Sequence, residues 1–149
     1  MSGLLDRFRD LGGARMHTDA RPAHGGPDEA MRKMLELNPN TLCFKENNKS
    51  VFLEDHTDPD GRLFRLEYMC DENGRVTKAY VRHNPWPPAD VAIGNTHLMG
   101  DEICIGPRSH AQDGYDLADT VLRARHWCGC YSLLREHGIE ALRTVEPHW

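Results

Sequence analysis

The chain lacks several features that would assign a protein to a class at once. No apolar run is long enough to span a membrane, and residues 1–6 have neither the basic start nor the apolar centre of a signal peptide. No basic run alternates with aromatic residues, and the formal net charge is -5 with the histidines neutral, so nothing indicates binding to a nucleic-acid backbone. We therefore expect a cytoplasmic protein that binds neither nucleic acid nor a membrane.

Internal repeats and low-complexity segments are also missing, and the cysteines form no regular pattern. They are 5 in number and irregularly spaced, which argues against a disulfide framework and favours a reducing compartment. A chain of 149 residues, 39% of them hydrophobic, is long enough for one domain with a substantial core. We place that domain at residues 28–149 and expect an N-terminal helix or arm, followed by a loop, over residues 1–27.

Apolar residues at helical spacing predict two helices before the first strand. One lies within residues 4–11 and either docks on the domain or binds a partner. The second covers residues 29–37, with Asp28 as its candidate cap. Asn38 ends it, because a residue that precedes proline avoids the helical region of backbone conformation.

Extended segments follow at residues 41–44, 50–54, 62–70 and 76–82, with turn-prone residues between them. In the third segment, apolar side chains at every second position from Phe64 to Cys70 predict one buried face. Asn73-Gly74, before the last segment, is a strong hairpin signal. Together they predict an antiparallel four-stranded meander, with Cys43 and Cys70 in the core.

A proline-rich flap at residues 83–88 comes next and cannot join a sheet ladder, since proline lacks the backbone donor. We expect Trp86 to pin this flap to the sheet and residues 91–93 to form a last short strand.

The longest helix is predicted from Leu117 to about Glu136, with Asp116 as N-cap and Gly138 as its stop. Its apolar residues step by three and four and form one stripe for the sheet. The element order predicts an α+β fold, in which an N-terminal helix and a long C-terminal helix pack on the antiparallel sheet.

The stretch from Asn95 to Gly106 contains the strongest candidate for chemistry. Ile103 and Ile105 flank Cys104 and point away from it in an extended chain. The two isoleucines can anchor the segment in the core while the thiol faces outward, as a nucleophile that acts on a macromolecule requires. The alternative is a buried, unreactive Cys104, because free cysteine is among the most buried residue types.

Taken in order, these pieces resemble the ubiquitin-conjugating enzymes (E2). In that family a meander is followed by a proline-rich segment, a His-Pro-Asn motif, a turn, a cysteine between apolar residues and a helix with an aromatic-rich stretch. The corresponding pieces here are Pro85 to Pro88, Asn95-Thr96-His97, Gly100-Asp101, Ile103-Cys104-Ile105 and Trp127 to Tyr131. The resemblance covers residues 28–138 and implies the UBC fold of that family.

An intact His-Pro-Asn motif is missing, and the sequence is more similar to compact bacterial E2-like proteins of anti-phage operons. Such operons encode either a ubiquitin-like protein with an E1-like activating enzyme and a deubiquitinase-like peptidase, or a cyclic-nucleotide synthase; we favour the first. The resemblance implies a cysteine transferase that takes the ubiquitin-like protein from the E1-like enzyme as a thioester on Cys104 and passes it to a target amine, without a cofactor.

The resemblance also implies roles for the residues around the cysteine. Asn95 or His97 would donate a hydrogen bond to the oxyanion of each transfer, although His97 could instead hold the loop and Asn95 could be a plain turn residue. Asp101 and His110 could accept a proton from the attacking amine, although a solvated loop residue is the simpler interpretation of each.

Two aromatic residues complete this candidate site. Tyr115 could line the groove beside the cysteine or pack under the loop, and Trp127 could pack against the loop or face a partner.

A cluster of His126, Cys128 and Cys130 with Cys104 has the residue types of a zinc site. Cys128 and Cys130 lie two residues apart on the predicted helix, so they face about 200° apart and cannot easily share one ion. We interpret both as structural and expect no metal.

Two other functions compete with the conjugating enzyme. A non-catalytic E2-like adaptor would keep the fold, but such adaptors usually lack the cysteine. A cysteine hydrolase using Cys104 and a histidine would need a third group to orient the histidine and a cleft for a small molecule or peptide, and the sequence marks neither.

Overall fold

The computed structural model describes residues 27–88, 96–106 and 113–149. The predicted helix within residues 4–11 and the predicted strand at residues 91–93 lie outside the described residues. In the part of the chain that is described, no helix has both the length and the apolar content needed to cross a membrane.

The described chain folds into helices and an antiparallel sheet, so the predicted α+β class is confirmed. The helices are α1 (Pro27–Leu37), α2 (Leu117–His137) and α3 (Ile139–Val145); the strands are β1 (Leu42–Glu46), β2 (Lys49–Thr57), β3 (Leu63–Cys70), β4 (Val76–His83), β5 (Leu98–Met99) and β6 (Glu102–Ile103). The helices α1 and α2 begin and end close to their predicted positions.

The strands lie in the order β1-β2-β3-β4-β6-β5. The predicted four-stranded meander is present as β1 to β4, but the sheet has six strands among the described residues, so the predicted strand number is wrong. The additional strands have 2 residues each and form a hairpin beside β4, with Tyr80 opposite Glu102. Strands this short leave no alternating pattern in a sequence, which is why the pattern did not predict them.

The core lies between one face of the sheet and α2. The alternating residues of β3, from Phe64 to Cys70, are at most 1% exposed, so their predicted burial is confirmed. Cys43 is exposed, as is every residue of β1, so its predicted core position is wrong. The physical reason is that β1, at the edge of the sheet, packs mainly along β2, and neither of its faces is covered by a helix of the described chain.

Helix α2 begins and ends as predicted. The carboxylate of Asp116 accepts a hydrogen bond from the backbone N–H of Asp119 at 3.0 Å, and Gly138 ends the helix with a φ of 88°. All residues of the predicted apolar stripe are buried, namely Leu117, Val121, Ala124, Cys128, Tyr131 and Leu134. Burial extends beyond the stripe, because α1 and α3 also pack on this helix.

The proline-rich flap is attached to α2. The indole N–H of Trp86 donates to Ser132 Oγ at 2.9 Å, and Ser132 donates to a carboxylate oxygen of the buried Asp58 at 2.6 Å. The guanidinium of Arg62 lies over the Trp86 ring, 4.2 Å from its centre. Trp86 therefore pins the flap as predicted, but to the helix instead of the sheet, since the buried Ser132 offers the acceptor that the indole needs.

A buried carboxylate joins α1, the sheet and α2. Glu54 on β2 is 2% exposed, and it accepts hydrogen bonds from the guanidinium of Arg125 at 2.6 Å, the amide of Asn38 at 3.1 Å and the hydroxyl of Tyr68. Burial raises the pKa of the Tyr68 hydroxyl well above its ordinary value, so this group stays protonated and donates. Arg125 also donates to the backbone carbonyl of Leu37, the last residue of α1, at 3.3 Å.

We expect the substitution Arg125→Ala to lower the free energy of unfolding by about 3–5 kcal/mol, because it leaves the Glu54 carboxylate buried without its cation. Urea unfolding followed by circular dichroism measures this change. The substitution Arg65→Ala is the matched control: it breaks an exposed ion pair with Asp55 and should cost less than about 1 kcal/mol. Equal effects of the two substitutions would contradict a structural role for the buried pair.

Candidate active site

Cys104 follows directly after β6 and is fixed by the backbone of the hairpin. Leu98 pairs with Ile103 across the hairpin, and the Cys104 N–H donates to the carbonyl of His97 at 2.9 Å. The hairpin is held to β4 by a second backbone hydrogen bond, from the Val81 N–H to the Asp101 carbonyl at 2.8 Å. The cysteine backbone is therefore positioned by the sheet.

The side chains around Cys104 alternate as predicted. Ile103 is 2% exposed and Ile105 is 7% exposed, while Cys104 between them is exposed. The apolar neighbours anchor the segment and the thiol faces out, so the alternative that Cys104 is buried is wrong.

The thiol lies in a shallow groove of about 180 Å³. Its lining comprises Thr77, Met99, Glu102, Ile103, Ile105, Gly106 and Tyr115 beside Cys104 itself. Tyr115 lines this groove but is only 4% exposed, so it also packs in the core as its alternative interpretation predicted. Burial raises the pKa of its hydroxyl, with a smaller contribution from the nearby Cys104.

Backbone contacts hold Tyr115 in this position. Its N–H and C=O each form a 2.9 Å hydrogen bond with Val76, at the start of β4. The preceding residue, Gly114, has a φ of 75°, and a Cβ atom there would lie 2.4 Å from the Cβ of Arg75. Glycine is therefore required where these two segments of the backbone approach each other closely.

His97 shapes the start of the hairpin. It has a φ of 54°, in the left-handed region that residues other than glycine seldom adopt. Its ring packs edge-on against Trp149, with 4.3 Å between ring centres. Together with its backbone bond to Cys104, these contacts support the interpretation that His97 holds the loop; its role as an oxyanion donor stays a prediction.

Of the remaining polar residues predicted for the site, only Asp101 lies among the described residues. The Asp101 carboxylate is exposed and pairs with Arg82 at 2.6 Å, so its alternative interpretation as a solvated loop residue fits the structure, and its role in proton transfer stays a prediction. Arg82 also pairs with Glu67 on β3 at 2.7 Å. Asn95 and His110 lie outside the described residues, so their predicted roles stay predictions.

Trp127 contacts the loop from inside the core and has no exposed surface. Its indole N–H donates to the carbonyl of Thr96 at 2.8 Å, and its ring stacks on Tyr131 with 4.8 Å between centres. The hypothesis that Trp127 faces a partner is therefore wrong, because a fully buried ring offers nothing to another molecule. Its predicted alternative, packing against the cysteine loop, is confirmed.

Sequence reasoning did not identify Trp149, which reaches His97 from the C-terminal side of α3. It is 6% exposed, and its N–H donates to the carbonyl of Glu146 at 3.0 Å. The only signal in the sequence was a bulky aromatic residue shortly after a helix, and such a residue can pack in many places.

Comparisons of the chain with protein-family models, with curated proteins and with solved structures find no match.

The cysteines differ strongly in accessibility. Cys43 and Cys104 are exposed, whereas Cys70, Cys128 and Cys130 are buried. Burial raises the pKa of the Cys70 thiol to about 12, and it raises the pKa values of Cys128 and Cys130 well above the ordinary range. Because the thiolate is the reactive form, the three buried thiols are protected both by packing and by protonation.

We expect iodoacetamide at neutral pH to modify only Cys43 and Cys104 in the folded protein, while the other thiols react after unfolding in guanidinium. Intact mass spectrometry over time counts the added groups. The substitutions Cys43→Ser and Cys104→Ser should each remove one of the two fast additions. Fast modification of the folded Cys104→Ser, Cys43→Ser double variant would contradict the assignment.

Proposed function

We propose that this protein is an E2-like conjugating enzyme that accepts a ubiquitin-like protein as a thioester on Cys104 and transfers it to a target amine. The observation on which the proposal depends is the exposed thiol, held between two buried isoleucines at the end of a hairpin. The order of elements agrees with the UBC fold: a meander, a proline-rich flap, the cysteine segment and a long helix that packs on the sheet.

The chemistry of the proposed reaction requires a reachable thiolate. In the first transfer the Cys104 sulfur attacks the carbonyl carbon of the modifier's C-terminal glycine; a new carbon–sulfur bond forms, and the E1 thiolate leaves. In the second, an amine nitrogen attacks the same carbon, Cys104 leaves as thiolate, and the amine gives up a proton to solvent or a nearby base. Thiol suits both steps because it is nucleophilic with little activation, and its thioester remains reactive toward amines.

The shape of the groove supports a macromolecular substrate. Small-molecule sites usually enclose about 300–1,000 Å³, and the groove at Cys104 holds about 180 Å³. A shallow groove can receive the extended tail of a protein modifier, whose folded body binds elsewhere on the surface.

The biological setting follows from the family resemblance. Compact bacterial E2-like proteins belong to anti-phage operons, so the partners would be a ubiquitin-like protein, an E1-like enzyme and a target protein with an acceptor amine. A role beside a cyclic-nucleotide synthase and a non-catalytic adaptor role are the alternatives.

We expect one covalent adduct when the protein is mixed with ATP and the E1-like and ubiquitin-like proteins encoded by adjacent reading frames. The mass of the intact protein without reductant should rise by one modifier, less one water, and return to its starting value with dithiothreitol, because thiols cleave thioesters. The variant Cys104→Ala should form no such adduct.

The matched control is Cys43→Ala, which removes the other exposed thiol and should leave the adduct unchanged. If the folded protein binds both partners but forms no thioester, the adaptor function replaces the enzyme. Release of free modifier without transfer to an amine would favour the hydrolase.

A further inference from the structure

A second cluster of reactive side chains lies inside the fold, apart from the groove at Cys104. His126, Cys130 and Glu146 place one ligand atom each within 4.8 Å of one another. His126 Nε2 and a Glu146 carboxylate oxygen are 3.0 Å apart. The side chains of His126 and Glu146 are 10% and 4% exposed, and Cys130 is fully buried.

Two separate elements bring these side chains together. His126 and Cys130 are four residues apart on α2, so they lie on one face of the helix, one turn apart. Glu146 comes from the end of α3, which turns back at Gly138 and buries Leu142 in the core. From the sequence, Cys128 and Cys130 face apart and are both interpreted as structural; in the structure Cys130 lies beside His126 and Glu146 instead.

The donor set has the chemistry of a zinc site. Imidazole nitrogen, thiolate sulfur and carboxylate oxygen are all zinc ligands in proteins, and thiolate with imidazole disfavours magnesium and calcium. A thiolate, a carboxylate and a neutral imidazole carry two negative charges, which a divalent cation neutralises. Such a balance matters at a buried site, where uncompensated charge is costly.

We propose that His126, Cys130 and Glu146 bind one zinc ion. A tetrahedral zinc ion with nitrogen and oxygen ligands at 2.0–2.2 Å and a sulfur ligand at about 2.3 Å separates its donor atoms by roughly 3.3–3.7 Å. The ligand atoms of the three side chains lie within 4.8 Å of one another, so the distance within each pair of atoms needs to change by about 1.5 Å or less to reach that spacing.

Zinc at this position would stabilise the segment that contacts the active-site hairpin. The Glu146 carbonyl accepts the N–H of Trp149, and the Trp149 ring packs on His97, whose carbonyl binds the Cys104 N–H. An ion that joins Glu146 to α2 would therefore also hold Trp149 in its contact with His97. The assignment of the ion itself does not depend on the proposed conjugating activity.

The test uses the untagged full chain, freed of metal with a chelator and kept reduced. Titration with Co²⁺, which replaces zinc in such sites, should give one equivalent of binding with the near-ultraviolet absorption of a cobalt–thiolate bond. Added Zn²⁺ should abolish that absorption. The variant Cys130→Ser should lose it entirely, and Glu146→Gln should weaken Co²⁺ binding by more than about 10-fold.

Two variants serve as matched controls for other thiols. Cys128→Ser alters the same helix only two residues away, and Cys104→Ser removes the exposed candidate nucleophile; both should keep the cobalt–thiolate absorption. Far-ultraviolet circular dichroism shows whether each variant is folded. If Cys130→Ser does not fold, the loss of Co²⁺ affinity in Glu146→Gln tests whether the cluster binds the ion. No thiolate absorption with excess Co²⁺, or absorption that Cys104→Ser removes, would overturn the proposal.

Discussion

The carboxylate of Glu54 is the charge on which the packing of helices against the sheet depends. It lies on β2, out of contact with water, and its partners come from β3, from the end of α1 and from the middle of α2. An ionised carboxylate is stable in such a place only when its hydrogen bonds are complete. The position and rotation of α2 are therefore fixed by Arg125 as well as by its apolar stripe.

That fixed helix supports the candidate active site from beneath. Trp127 lies two residues after Arg125 on α2, and its indole N–H holds Thr96 at the start of the cysteine hairpin. On the opposite side, β4 supplies backbone partners for Asp101 and Tyr115. Among the described residues, Cys104 is positioned by its backbone hydrogen bond to His97 and by the two buried isoleucines beside it.

Much of this arrangement could be predicted from local patterns. The alternation in β3, the cap at Asp116 and the inward isoleucines beside Cys104 each follow from a spacing rule applied to a few residues. The hairpin of β5 and β6 could not be predicted, since two-residue strands have no period, and the exposure of Cys43 depends on which strand lies at the edge. The cluster of Glu146 with His126 and the contact of Trp149 with His97 depend on how α3 turns back, which no local pattern specifies.

The contact between His97 and Trp149 has a consequence for biosynthesis. Trp149 follows His97 by 52 residues, so the hairpin lacks this support until the ribosome has released the whole of α2 and α3. The meander of β1 to β4, whose strands pair with their sequence neighbours, can form earlier from nascent chain. In a nascent chain the strands of the meander can therefore pair before the hairpin beside Cys104 gains its support from Trp149.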